Sequence, residues 1–308
     1  MSLSETKHWG LDALVAELRN LRNKSLENRQ RQEQPPKLPS SKVLSNIVDN
    51  LGAALFPNRL GLPDLNAEGI DYFVGQTLDG VLRQLDKQIG LELKFIAEQQ
   101  GRVADTRVEA AQITRDFARR LPAIRILIES DIQAAFEGDP AASSPDEVLI
   151  CYPGIIAIFH HRIAHQLYLL GAPLVARVIA EIAHSVTGID IHPGAQIADS
   201  FFIDHGTGVV IGQTAVIGSR VRLYQAVTLG AKRFAKDENG MLVKGNARHP
   251  IVEDDVVIYA GATILGRITI GCGSTIGGNV WLTHSVPPGS HISQAQVRNE
   301  MFESGGGI

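Results

Sequence analysis

The chain has 308 residues, 44% of them hydrophobic, and carries 29 Lys and Arg against 33 Asp and Glu, a net charge of −4. That length is enough for two domains with separate cores. The near-balanced, scattered charge argues against a nucleic-acid or anionic-membrane partner.

From the N-terminus, Leu11, Leu14, Leu18 and Leu21 recur at helical spacing, which predicts an amphipathic helix over 10–34 with a charged, Gln-rich tail. Pro35, Pro36 and Pro39 end it. Helical patterns resume over 41–55, 66–99 and 105–136, the chain turns over 138–144, and two more helices are predicted over 154–170 and 173–187. Within the first of that last pair, His161 and His165 stand one turn apart, the spacing of a metal pair. No flanking Glu completes a zinc-protease motif, so core or solvated histidines are the expectation. Cys151 and Cys272 lack metal-type spacing and read as small buried hydrophobes in a reducing compartment. No apolar run reaches the ~18 residues of a membrane span, and Met1 to Gly10 lacks the apolar core of a signal peptide, so a cytoplasmic protein is expected.

After residue 187 the period changes. Aliphatic residues recur every six positions: Ile191, Ile197 and Ile203, then Ile211, Ile217, Leu223 and Leu229, then Val252, Ile258, Ile264, Ile270, Ile276 and Leu282. Small or branched residues tend to sit four places on, as at Ala195, Ala215, Val227, Val256 and Ala262. Six is neither the helical 3.6 nor the strand period of 2, and a sustained six demands a hexapeptide β-helix, in which each hexad forms one face of a three-sided prism. The thirteen hexads give about four coils, and Gly212, Gly218, Gly230, Gly271 and Gly277 are expected to turn the corners.

Chemistry is expected where the rhythm breaks. Between Ile203 and Ile211 the spacing grows from six to eight around Asp204 and His205. His205 could act as a general base near neutral pH. Asp190, 15 residues earlier and a little under one coil away, could orient it on the same prism edge. The bland readings are a junction turn at Asp190 and a corner carboxylate at Asp204. The second break ejects about twenty polar residues between Leu229 and Val252 and ends in Arg248, His249 and Pro250. Arg248 offers a fork for a carboxylate, and His249 could donate to an oxyanion; a solvated loop end is the alternative.

The runs Gly188 to Ala195 (Gly-Ile-Asp-Ile-His-Pro-Gly-Ala), Phe202 to Gly218 with its Asp-His-Gly-Thr-Gly, Leu223 to Gly230, the Arg-His-Pro of 248–250 and the Asp-Pro-Ala of 139–141 together resemble the serine O-acetyltransferases. The resemblance covers about 135–290. It implies an α+β protein: an all-α helical domain over 1–187, used for assembly and contributing to the serine site near residue 139; a left-handed parallel β-helix over 188–290 with a loop at 230–251; and a flexible tail over 291–308. It implies acetyl transfer from acetyl-CoA to L-serine, giving O-acetyl-L-serine for cysteine biosynthesis, without a metal. In that reading His205, Asp190 and His249 are catalytic, Asp139 and Asp204 hold the serine ammonium, and Arg248 holds its carboxylate. Gly230, Ala231, Ala260, Gly261 and Gly278 would line the acetyl-CoA site. The family is a trimer with sites between adjacent prisms, often doubled through the helices, and is commonly inhibited by cysteine. Its terminal isoleucine can enter cysteine synthase; Ile308 after Gly305 to Gly307 suits such capture and equally suits an arbitrary chain end.

Three other readings are distinguishable. Another acetyl-CoA-dependent hexapeptide O-acetyltransferase would have little use for the Arg248 and Asp204 pair if its acceptor were a sugar. A γ-type carbonic anhydrase needs a three-histidine zinc site, and the closely spaced histidine pair is absent from the repeat. A pure interaction scaffold leaves Asp204 and His205 without a reason.

Overall fold

The structure, a computed structural model, describes residues 9–28, 37–63, 66–103, 105–233, 238, 240–243 and 245–294. Among the described residues eight helices come first: α1 (Leu11–Asn28), α2 (Ser41–Leu55), α3 (Pro57–Leu60), α4 (Ala67–Gln100), α5 (Thr106–Gly138), α6 (Pro145–Cys151), α7 (Pro153–Leu169) and α8 (Pro173–Thr187). Their ends follow local chemistry. Asn66 and Asp105 accept backbone N–H groups at the starts of α4 and α5, Ser144 does so for α6, and Gly101 and Gly188 close α4 and α8 in the left-handed conformation. The sequence reading missed α3 and α6, whose four and seven residues are too short to show a period.

Leu44, Ile47, Val48 and Leu51 of α2 are buried at helical spacing against α4 and α8. The apolar residues of α1 (Leu11, Leu14, Val15, Leu18 and Leu21) are instead exposed. Glu92 of α4 is fully buried, and its carboxylate accepts the N–H groups of Leu174 and Val175 at 2.6 and 2.8 Å. It thereby supplies the N-terminal cap that Ala172 cannot. Among the described residues, no single helix is long and apolar enough to cross a membrane.

The strands follow: β1 (Asp190–Ile191), β2 (Gln196–Ile197), β3 (Phe202–Ile203), β4 (Val210–Ile211), β5 (Val216–Ile217), β6 (Arg222–Leu223), β7 (Thr228–Gly230), β8 (Ile251–Val252), β9 (Val257–Ile258), β10 (Thr263–Leu265), β11 (Thr269–Ile270), β12 (Thr275–Ile276), β13 (Trp281–Leu282) and β14 (His291–Ile292). Every pairing is parallel and joins strands three apart until β14, so the chain winds round three sheets of a left-handed β-helix. The first face stacks β1, β4, β7, β10 and β13; the second β2, β5, β8 and β11; the third β3, β6, β9, β12 and β14. All thirteen predicted hexad aliphatics point inward, each at most 9% exposed. Burying each stabilises the prism by roughly 1.5–3 kcal/mol. β14 is a fourteenth strand, lying just past residue 290, where the sequence reading begins the tail.

The corners are turned differently from the expectation. The corner residues with positive φ are Ser200, Arg220, Ala226, Asp255, Gly261, Gly273 and Asn279, with His205 in the slip, whereas Gly212, Gly218, Gly230, Gly271 and Gly277 have ordinary φ. Those five glycines answer to crowding: an added Cβ would lie 2.0 Å from the His249 ring at Gly212, 2.2 Å from Asp254 at Gly218 and 2.3 Å from Pro288 at Gly271. Cys151 and Cys272 are both exposed, not buried, because one ends a short surface helix and the other stands on a prism edge.

The helices cap the first coil of the prism, with α5 and α7 against β3 and α8 against β1. One buried ion pair locks this junction. The Arg162 guanidinium of α7 grips the Asp131 carboxylate of α5 with two bonds of 3.0 and 2.9 Å and donates to the carbonyls of Ile197 and Ala198. Asp131 also accepts the Phe201 N–H at 2.9 Å.

Candidate active site

The first face of the prism has two long edges. One is built from 204–209, 224–227, 259–262 and 277–280, the connections out of β3, β6, β9 and β12. The other is built from 192–195, 212–215, 231–233, 245–250 and 266–268, in the connections out of β1, β4, β7 and β10. The residues singled out from the sequence divide between them.

On the first edge, the two-residue slip makes a protruding turn. The Asp204 N–H is tied to the Leu223 carbonyl, the Gly208 N–H to Gly188, and Gly206 and Gly208 take φ of +83° and +82°. His205 rides on this turn with its side chain 72% exposed. Its φ of +57° comes two residues after the inward Ile203, whereas Arg220, Ala226 and Asn279 reach similar φ three residues after theirs, so this conformation belongs to the slip itself. Its Nδ1 lies 3.8 Å from an Asp204 oxygen. Asp190 faces outward on β1, paired in register with Val210, and no hydrogen bond joins it to His205. The expected hydrogen bond between His205 and Asp190 is therefore not formed in the isolated chain.

Asp139 arrives at this edge from the C-terminal end of α5. It accepts the Ala141 N–H at 2.9 Å and the Tyr152 hydroxyl at 2.5 Å. α6 and α7 meet at 77° across Tyr152, which aims its ring toward the turn after α5. That hydroxyl, and secondarily the Ala141 N–H, hold the Asp139 carboxyl below the usual carboxylate range. The same bond pushes the Tyr152 hydroxyl up to about 12. Asp204 is gripped by Arg222, whose Nη2 lies 2.7 Å from Oδ2. Tyr152 and Arg222 were not identified from the sequence, since neither the hexad nor the helical period distinguishes them.

On the second edge, His249 is buried, its ring packed against Gly212. Its Nδ1 accepts the Thr214 N–H at 3.1 Å and meets the Thr214 hydroxyl at 2.9 Å. That hydroxyl itself accepts the N–H groups of Arg248 and His249. With Nδ1 an acceptor, the proton of the neutral ring sits on Nε2, which becomes a donor. Arg248 donates to the Gln213 side-chain oxygen at 3.0 Å, and Gln213 in turn donates to the Tyr168 hydroxyl at 3.1 Å. Thr214 and Gln213 fall in the Gly-Gln-Thr-Ala hexad corner, where only the fold reveals that they face the loop end.

Of the residues assigned to acetyl-CoA, Gly230 ends β7 and Ala231 begins the second edge beside it, while Ala260, Gly261 and Gly278 belong to the first. The Ala260 carbonyl is already taken by the Asn279 N–H at 2.9 Å, and a Cβ on Gly278 would stand 3.2 Å from that carbonyl. No hydrogen bond or ion pair links the two edges' polar groups among the described residues. The single chain thus carries two separate groups of polar residues flanking one face.

Histidines near the second edge are held neutral. Burial, helped by Arg248 and Arg267, pushes His249 down to about 4; burial, helped by Arg177, does the same to His192. His161 is fully buried, stacked 5.5 Å from His165, and lowered by burial first and His165 second. Among the described residues no group of three His, Cys, Asp or Glu could hold a metal. An unfolded histidine titrates near 6.5, so protons bind the unfolded chain more tightly between about 6.5 and 4. The stability these rings confer is fully present above pH 6.5 and is lost as pH falls toward 4. Urea midpoints at pH 7.5 and 5 should show that decline; equal midpoints would contradict it.

No family model matches the chain. It is 57% identical over 306 residues to a plasmid-borne serine acetyltransferase of Synechococcus elongatus, covering 98% of this chain and 96% of that protein. It is 49% identical over 165 residues to the serine acetyltransferase of Mycobacterium tuberculosis, covering 54% and 68%. Among solved structures, it resembles Entamoeba histolytica serine acetyltransferase isoform 3 in complex with cysteine (TM-score 0.71, 35% identity, 89% and 87% covered). It also resembles soybean serine acetyltransferase complexed with serine (TM-score 0.53, 30% identity, 81% and 95% covered). With the β-helix, the helical cap and near full-length identity in agreement, the chain belongs to the serine acetyltransferase family.

Proposed function

We propose that the chain transfers acetyl from acetyl-CoA to the hydroxyl of L-serine, giving O-acetyl-L-serine and free CoA, the acyl-transfer step of cysteine biosynthesis. The observation that carries this reading is the division of charge on the first face. One edge offers two carboxylates, Asp139 and Asp204, to an ammonium; the other offers Arg248 to a carboxylate. A zwitterion with a hydroxyl fits between them, and a neutral sugar does not use that pair.

Two half-sites on opposite edges of one face need a second copy. If three prisms turn this face toward a shared axis, the first edge of each meets the second edge of the next, and a cyclic trimer closes three equal sites. Val210 (37% exposed) and Trp281 (70% exposed) stand outward on this face, in keeping with a buried role in the assembly. A trimer doubled through the helices is compatible with the same closure.

In the proposed step, His205 takes the proton from the serine hydroxyl as its oxygen attacks the thioester carbonyl. Asp190 orients the ring after a side-chain rotation closes the pair. The Nε2–H of the neighbouring copy's His249 is the donor available to the developing oxyanion. The tetrahedral intermediate then collapses, the C–S bond breaks, and the leaving sulfur takes the proton from His205, giving free CoA and returning the imidazole to its neutral form. Acetyl-CoA supplies the acyl group. The small residues Ala260, Gly261 and Gly278 on one edge, with Gly230 and Ala231 on the other, leave a backbone-lined groove suited to its extended arm.

Cysteine presents the same ammonium and carboxylate as serine, so competition at this site is expected, in line with the cysteine complex of the Entamoeba relative. Cysteine synthase capture by Ile308 rests on residues outside those described. The test is release of free CoA from acetyl-CoA by the purified protein. Turnover should require L-serine; comparable turnover with a sugar acceptor, or none with serine, would overturn the reading.

A further inference from the structure

Arg222 stands on the outward side of β6, where the equivalent positions of the same face carry Phe202, Val257, Thr275 and His291. The hexad requires no cation there. Yet the guanidinium is built into the first edge from every side. Its Nη1 donates to the Gly138 carbonyl at 2.6 Å and its Nη2 to Asp204 Oδ2 at 2.7 Å. Its central carbon lies 4.9 Å from the Phe202 ring centre and 4.7 Å from that of Tyr224. The Nε is buried without a partner. Gly138 suits the fit: a Cβ there would stand 3.0 Å from the Phe202 ring.

Gly138 is the last residue of α5 and directly precedes Asp139. One planar fork therefore ties down the peptide that launches the first carboxylate and the second carboxylate itself, and two aromatic faces hold the fork in place. The bond to Asp204 uses Oδ2 and leaves Oδ1 turned toward His205.

We propose that Arg222 is a positioning residue for the acceptor: it holds Asp139 and Asp204 at a spacing one ammonium group can bridge and leaves that pair with a single net negative charge. This rests on the reading that the two carboxylates bind the acceptor's ammonium. Asp139, Glu147, Tyr152, Asp204, His205, Tyr224 and Tyr259 are the titratable groups around it. Among these Arg222 is the fixed cation. Without it, like-charge repulsion makes a proton the competitor of the substrate ammonium.

The test compares full-length wild type with Arg222→Gln and Arg222→Lys in serine-dependent CoA release. For Arg222→Gln, the KM for serine should rise about tenfold or more, the loss of one charged hydrogen bond, while kcat at saturating serine and the KM for acetyl-CoA stay near wild type. The acid limb of kcat/KM for serine should move to higher pH. Arg222→Lys keeps the charge but not the fork, so it should restore the acid limb without restoring KM. Inhibition by 3-hydroxypropionate, which has no ammonium, should be unchanged. An unchanged serine KM with an unmoved acid limb would overturn the proposal, and so would equal weakening of serine and 3-hydroxypropionate. If the glutamine variant does not fold, the lysine variant's KM and acid limb decide. Failure of the underlying reading looks different, since wild type itself would then lack serine-dependent turnover.

Discussion

Replacing His205 with Ala should lower kcat by about 10²- to 10⁴-fold, the range that a general base contributes, with little change in the KM for serine. The argument rests on how little else the ring does. Its side chain is 72% exposed, and its Nδ1 lies 3.8 Å from an Asp204 oxygen, beyond hydrogen-bond distance. The backbone does not need histidine either, because an alanine, Ala226, holds φ of +58° at another corner of the prism. The variant should therefore keep the wild-type thermal midpoint, and its loss of turnover should reflect chemistry alone. Activity within a few-fold of wild type, measured at saturating serine and acetyl-CoA, would remove His205 from the base role.

Replacing Arg162 with Leu should be the most destabilising of these changes. Asp131 is fully buried and Arg162 is 4% exposed, so the substitution strands a carboxylate in the interior and strips the donor from the Ile197 and Ala198 carbonyls. Removing one partner of a buried pair costs about 3–5 kcal/mol. The Phe201 N–H still satisfies one oxygen, which favours the lower end of that range. Because the pair joins α5 and α7 to the connection between β2 and β3, the helical cap and the prism should loosen together, and Asp139 at the end of α5 should lose its place. Urea unfolding followed by fluorescence and by circular dichroism should shift in parallel. A midpoint indistinguishable from wild type would show that the pair contributes nothing net.

Much of this molecule can be read along the chain. A six-residue period is geometric: each inward aliphatic is one face further round the prism, and Ile191 through Leu282 keep that register without exception apart from two breaks. Those breaks carry the unusual chemistry because a regular coil has no room for a protruding turn. The helix bounds at 41–55 and 173–187 agree with the structure for a local reason, namely proline or glycine at the ends and strong amphipathic spacing between. The corner glycines were misread because a glycine can answer either to positive φ or to close approach, and sequence does not separate the two; at Gly212 the answer is the His249 ring. The partners of the site residues were invisible for a related reason. Arg222 lies 84 residues from Gly138, and Thr214 lies 35 from His249, so only the winding of the coil brings them together. The grouping of Asp139, His205 and Arg248 in one site came from the resemblance, and the chain by itself holds them on two edges of one face.

That separation gives the most direct measurement. His205→Ala and Arg248→Ala chains, carrying different affinity tags, would be co-expressed and the mixed oligomers purified through both tags. Each parent alone should be nearly inactive with subsaturating serine. In any mixed cyclic trimer one of the three junctions pairs an intact first edge with an intact second edge, so the mixed species should regain about one third of wild-type activity. Mixed oligomers as inactive as their parents would contradict a site shared between neighbouring copies.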